Sequence, residues 1–266
     1  MKKNISKLIL DISLISIIIP IFILGIWCCT KSWPYPELLP QNYSSIGFEY
    51  IFNVSNLKIL INSILISLII VFMTIIISIP ASKAIALYEF KGKKIFELLI
   101  LSPIIIPMVS VAMGIHITFI KLGLANSLLG VIIINIVPCI PYAVRIIGDV
   151  YKLVGNKLEI QAELLGANKS NVFRYITLPL ILPGVIGASS MCFIISFSQY
   201  FLTMLIGGGR IVTYPMIMFP YIQSGDRNIA ALYSMVFLVV SIIVLILIEK
   251  RIKKYYIGNE DISYLI

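Results

Sequence analysis

Six long apolar runs decide most of what this chain can become. They occupy residues 8–29, 59–81, 98–120, 128–147, 183–205 and 229–248. Each reaches the roughly 20 residues that a helix needs to cross a hydrocarbon core about 30 Å thick. Inside such a core a segment must satisfy its own backbone donors and acceptors, and for continuous runs of this length the helix does so. Composition agrees: 59% of the 266 residues are hydrophobic, 12% are charged and the mean hydropathy is +1.03, against about 25% charge in a soluble domain. The expected fold class is all-α and membrane-integral, with about six transmembrane helices. The first run follows Lys2, Lys3 and Lys7, as the core of a signal peptide would. It is too long for one and ends in Trp27-Cys28-Cys29 without a small-residue cleavage site, so it reads as a retained anchor.

The net charge of +9 would suggest a nucleic-acid partner in a soluble protein. Here the basic residues gather at the ends of apolar runs, where they orient a protein in a membrane instead. Placing the N-terminus in the cytoplasm leaves only Lys31, Lys58, Lys121, Arg210 and Arg227 of the 21 basic residues outside. Both termini are therefore expected in the cytoplasm, together with the connector between the fourth and fifth runs.

The membrane interior is poor in chemistry. Charge at mid-membrane is costly and persists where ion or proton coupling needs it, yet Asp11 and Glu97 sit near run ends and the other acids lie in loops or at helix ends. The energy source is expected outside this chain. His116 is the single histidine and reads as a packed or pore-facing polar residue, with no second histidine and no HExxH spacing for a metal. Ser189, Ser190, Ser196 and Ser198 lack a basic partner and read as packing or pathway residues rather than nucleophiles. Cys28, Cys29, Cys139 and Cys192 show neither metal spacing nor a disulfide framework. No catalytic residue and no metal ligand is expected. Pro80, Pro103, Pro107, Pro138, Pro141 and Pro183 punctuate the runs, and each frees a carbonyl that needs a partner. Asn62, Ser67, Asn135, Ser196 and Gln199 are candidates to line a polar pathway, or equally to join helices.

The connector has its own logic. Asn156 stands three residues before Glu159, the spacing of a capping box, and Leu158, Ala162 and Leu165 recur at helical spacing. Gly166 suits a left-handed cap. Ser170 is placed to cap a second short helix carrying Val172, Phe173 and Ile176, expected to close before Pro179. Two short helices at a glycine elbow, with an exposed apolar stripe, suit docking into a groove on another protein.

The segment "LEIQAELLGANKSNVFRYITLPLILPG" resembles the EAA loop of permease subunits of binding-protein-dependent ABC importers, which runs approximately EAAxxxGAxxxxxFxxIxLPxxxP. Gly166, Ala167, Phe173, Ile176, Leu178, Pro179 and Pro183 match at that spacing. The opening Glu-Ala-Ala falls on Ile160-Gln161-Ala162, with Glu159 one residue before it and Glu163 three after, so the acidic role is open between the two glutamates. "IPASKAIALYEFKGKK" from Ile79 and "LSPIIIPMVS" from Leu101 resemble the family's segments around the second and third spans.

The resemblance implies a type I ABC importer permease fold with its core at residues 57–250. Residues 1–56 would add a helix and external loop, 149–180 the coupling loop and 251–266 a cytoplasmic tail. It implies a multi-pass protein of a prokaryotic plasma membrane, forming half of a solute pathway in contact with membrane lipid. The implied partners are a cytoplasmic ATPase dimer, a second permease subunit in a heterodimer and an extracytoplasmic solute-binding protein. Glu159, Ala162, Glu163, Gly166, Ala167, Phe173, Leu178, Pro179 and Pro183 would form the ATPase-coupling loop. This chain lacks GxxxxGK[ST]; it would bind no cofactor itself, and ATP would sit on the partner. Its external segment looks most like the polyamine branch, although Ser198-Gln199 brings no charge to meet a polycation. Iron(III), thiamine and sulfate-like oxyanions stand beside polyamine as cargo. The rival reading is a transporter or channel working without an ATPase.

Overall fold

The computed structural model describes residues 2–33, 40 and 42–257. The other residues, among them part of the external segment at 34–39 and 41 and the last nine of the expected tail, lie outside the described set. In chain order the elements are α1 (Lys2–Cys28), β1 (Thr30–Ser32), β2 (Asn42–Tyr43), α2 (Ile46–Ile51), α3 (Val54–Leu87), α4 (Lys93–Ile105) and α5 (Met108–Lys121). They continue as α6 (Leu128–Val154), α7 (Lys157–Leu164), α8 (Lys169–Val172), a π-turn (Phe173–Thr177), α9 (Leu178–Phe197), α10 (Phe201–Gly207), α11 (Tyr214–Ser224) and α12 (Arg227–Ile257). The helical expectation holds, with one addition. β1 and β2 form a short antiparallel pair, Thr30 opposite Tyr43 and Ser32 opposite Asn42.

Four described helices are long and apolar enough to cross a membrane: Val54–Leu87, Leu128–Val154, Lys169–Phe197 and Arg227–Ile252. The third apolar run is not a straight helix. α4 and α5 meet at 105°, because Pro107 excludes helical angles from the residue before it and Ile106 takes φ −89°, ψ 125°. Counted as one span, the bent pair brings the total to five. Within α1 the apolar stretch Ile12–Cys28 is shorter and is not counted among these spans. The fifth run is also interrupted. α9 stops at Phe197, Ser198 turns its hydroxyl back onto the Ile195 carbonyl at 3.2 Å, and α10 begins at Phe201. α12 continues to Ile257, so the first seven residues of the expected tail are helical.

The chain falls into two compact units, Met1–Ile61 with Tyr214–Ser241, and Asn62–Thr213 with Ile242–Ile266. In the first, Asn228 on α12 donates its amide to the carbonyls of Trp27 and Cys28 at 3.0 and 3.2 Å, tying it to the end of α1. The Tyr50 and Tyr221 hydroxyls lie 2.5 Å apart, and the Tyr214 hydroxyl donates to the Tyr233 carbonyl at 3.2 Å.

In the second unit α6 and α9 lie in close contact. A Cβ at Gly184 would stand 2.9 Å from Val150 Cγ2 and 3.2 Å from Ile147 Cα, so only glycine permits the approach. The thiols of Cys139 and Cys192 donate to each other's carbonyls at 3.7 Å, joining the same two helices. A core of Ala112, Phe119, Val131, Ile134, Leu202 and Ile206 packs α5, α6 and α10 together. Ser82 donates to the Val144 carbonyl at 3.0 Å, fastening α3 to α6. The outer face of α3 is mostly apolar along its middle turns, with Ile61, Leu65, Phe72 and Ile76 exposed, as expected of a surface solvated by hydrocarbon.

Candidate functional site: a clamped elbow

The connector folds as α7, a tight reversal and α8. Gly166 closes α7 at φ +91°, an angle that costs L side chains energy. Its N–H reaches the Glu163 carbonyl and the Ala167 N–H reaches that of Ala162, both at 3.0 Å, the paired bonds of a Schellman cap. The start of α7 differs from expectation: Asn156 occupies the N-cap position but makes no side-chain cap bond. The next helix is capped by Asn168, whose Oδ1 accepts the Asn171 N–H at 2.8 Å, two residues before the expected Ser170.

Pro179 does not end that second helix. α8, the π-turn and α9 run on as one helical segment, Lys169–Phe197. Leu178 keeps helical angles of φ −63°, ψ −43° and donates to the Phe173 carbonyl five residues back. Opening the turn by one residue lets the helix accommodate a ring that brings no donor. Pro183 lies exposed on the first turns of α9, and Leu178 at its start is half-buried.

Glu159 holds the elbow in place. It is 8% exposed, and its two oxygens point to different elements. Oε2 accepts from Lys83 Nζ at 2.6 Å, near the end of α3, and Oε1 accepts from the Thr177 hydroxyl at 2.5 Å, at the end of the π-turn. One carboxylate thus joins α3, α7 and the base of α9. Glu163 is exposed, so of the two candidate glutamates Glu159 is the one built into the fold. Lys83 and Thr177 were missed as partners: the first reads as one more orienting charge, the second as an unremarkable residue before Leu-Pro.

While Glu159 faces inward, the tip faces out. Leu164 and Leu165 are 81% and 89% exposed, and Phe173 is 41% exposed. Ala162 and Ala167 are half-buried behind them. An apolar tip on a clamped base has the form of a protein-docking surface rather than that of a binding pocket.

The pathway candidates scatter. Asn135, 1% exposed, donates to the Val131 carbonyl at 2.9 Å and to the Thr203 hydroxyl at 3.1 Å, attaching α6 to α10. Ser67 and Ser196 are buried, Asn62 is exposed and Gln199 is half-buried. His116 is half-buried on α5. Among the described residues no three His, Cys, Asp or Glu side chains are grouped to hold a metal.

A polytopic helical membrane protein with a clamped, apolar-tipped elbow is the class that fold and site define. The chain belongs to the family of binding-protein-dependent transport system inner membrane components, whose sequence model matches residues 1–256. It is accordingly a multi-pass protein of a prokaryotic plasma membrane. It is 25% identical over 173 residues to the probable ABC transporter permease protein y4oR of Sinorhizobium fredii, covering 65% of this chain and 62% of that one. It is also 25% identical over 162 residues to the putrescine transport system permease protein PotI of Escherichia coli, covering 58% of each. The chain therefore spans less than two thirds of the length of these relatives. The molybdenum transport system permease protein ModB of Mycobacterium tuberculosis is 28% identical over 184 residues, 63% of this chain and 70% of that one. In fold the chain is similar to a chain from the crystal structure of a bacterial ABC transporter involved in the import of the acidic polysaccharide alginate. That likeness has a TM-score of 0.68 at 16% identity and covers 96% of both chains.

Proposed function

We propose that this chain is the permease subunit of an ATP-driven importer, supplying half of a solute pathway and docking a cytoplasmic ATPase through the elbow at Gly166. The observation that carries the reading is the elbow itself: Leu164 and Leu165 are exposed while Glu159 locks their base to α3 and the start of α9. Exposed leucines at that density are costly unless a partner covers them. The partner is an ATPase dimer facing the cytoplasm, where both termini of this chain also lie. ATP binds there and drives the conformational equilibrium by its differential affinity for two states, so the membrane interior needs no coupling acid. A second permease subunit completes the pathway as a heterodimer, and an extracytoplasmic binding protein delivers the solute.

The cargo is a small solute, and polyamine is the first to test because a relative is named for putrescine transport. Relatives at similar identity are named for molybdenum and trehalose transport. The experiment is co-purification from native membranes followed by reconstitution. An ATPase subunit is expected with the wild-type chain and is lost in Leu164→Asp/Leu165→Asp, while membrane insertion persists. Solute movement by the chain alone, without ATP, would sink the proposal.

A further inference from the structure

The second unit carries an apolar groove of about 510 Å³ that the elbow does not use. Its α3 wall runs from Ile64 to Ile75, α9 contributes Val185 and Ser189, and α12 closes it from Val244 onward. Apart from Ser189, which is itself buried, the one polar lining residue is Arg251. Arg251 is exposed and forms no ion pair among the described residues.

Length and charge together select an occupant. From Ile64 to Ile75 a helix rises about 16 Å, roughly half of the 30 Å hydrocarbon core. The groove is therefore too short for a partner helix crossing both leaflets and is matched in length to a single acyl chain. At its α12 end stands a guanidinium, whose planar fork suits the two oxygens of a phosphate. Along the sequence it is followed by Lys253 and Lys254 and preceded by Lys250, a basic run of the kind that anionic lipid surfaces attract. Inorganic phosphate would gain nothing from the apolar wall. We infer that this groove is a binding site for an anionic phospholipid, with an acyl chain between α3, α9 and α12 and its phosphate on Arg251. The inference is independent of the proposed importer function.

The test is native mass spectrometry of the full chain, with whatever subunits co-purify, titrated with phosphatidylglycerol or phosphatidylcholine. The wild type is expected to retain phosphatidylglycerol about five-fold better, the factor one interfacial charge supplies. Arg251→Gln should erase that preference and Arg251→Lys keep part of it. Val244→Trp, which fills the groove, should weaken retention of both lipids. Because Arg251 is exposed, its variants fold whatever the fate of Val244→Trp. Equal retention of the two lipids by the wild type, or an unchanged preference in Arg251→Gln, overturns the inference. So does efficient cross-linking of Leu247→Cys to a second membrane subunit in native membranes, which would make the groove a subunit interface.

Discussion

The clamp on Glu159 makes an asymmetric prediction. Its side chain is 10% exposed, whereas that of Lys83 is 31% exposed. Lys83→Met leaves a nearly buried carboxylate with only the Thr177 hydroxyl to stabilise it. The cost should approach that of breaking a buried pair, about 3 kcal/mol. Glu159→Gln keeps an oxygen for Thr177 and leaves an ammonium that can turn to water, so it should cost about 1 kcal/mol. The double variant removes both charges and should cost no more than Glu159→Gln alone. For a chain of this size, a melting curve in detergent should fall by about 6–12 °C for Lys83→Met and by about 2–4 °C for each of the other two. Additive losses in the double variant, or a larger loss for Glu159→Gln than for Lys83→Met, would refute the assignment of this pair as a buried clamp.

Two further perturbations probe neighbouring features. Gly166→Val places a β-branched residue at φ +91°, where no atom lies within 4 Å of the new Cβ, so the cost of about 1–2 kcal/mol is purely conformational. Gly166→Asn should cost measurably less in the same melt, and under the proposed function Gly166→Val should let ATP hydrolysis continue while uptake falls. Gly184→Ala drives a methyl into Val150 and should destabilise by about 1–3 kcal/mol. Val150→Ala on that background should recover only part of the loss, because the Ile147 backbone at 3.2 Å still obstructs.

Periodicity and local chemistry made some of this legible in advance. Gly166 announced the elbow, and five of the six apolar runs announced four spanning helices and the bent pair, because both depend on residues close in sequence. The two prolines beside helix junctions were harder. Pro107 breaks a run whose hydropathy is continuous, since hydropathy does not sense a 105° bend. Pro179 leaves its helix intact, since a π-turn absorbs what local propensity alone would forbid. Least legible was the clamp. Lys83 and Glu159 are 76 residues apart, and no spacing rule links a residue ending one span to one in a distant loop. Asn135 shows the same limit: its amide serves the Thr203 hydroxyl, a contact that only the packing of α6 against α10 creates.

The unbroken helix through Pro179 has a mechanical consequence. From Lys169 to Phe197 it holds 29 residues, a rod about 43 Å long. Tilting such a rod by about 5° moves its far end by roughly 4 Å, more than the width of a water molecule. From Lys169 to Phe197 the backbone stays helical, so a tilt imposed at the elbow end would be carried along the rod toward the bundle interior, as at the short end of a lever. The π-turn near its base, Phe173–Thr177, is where that lever can give.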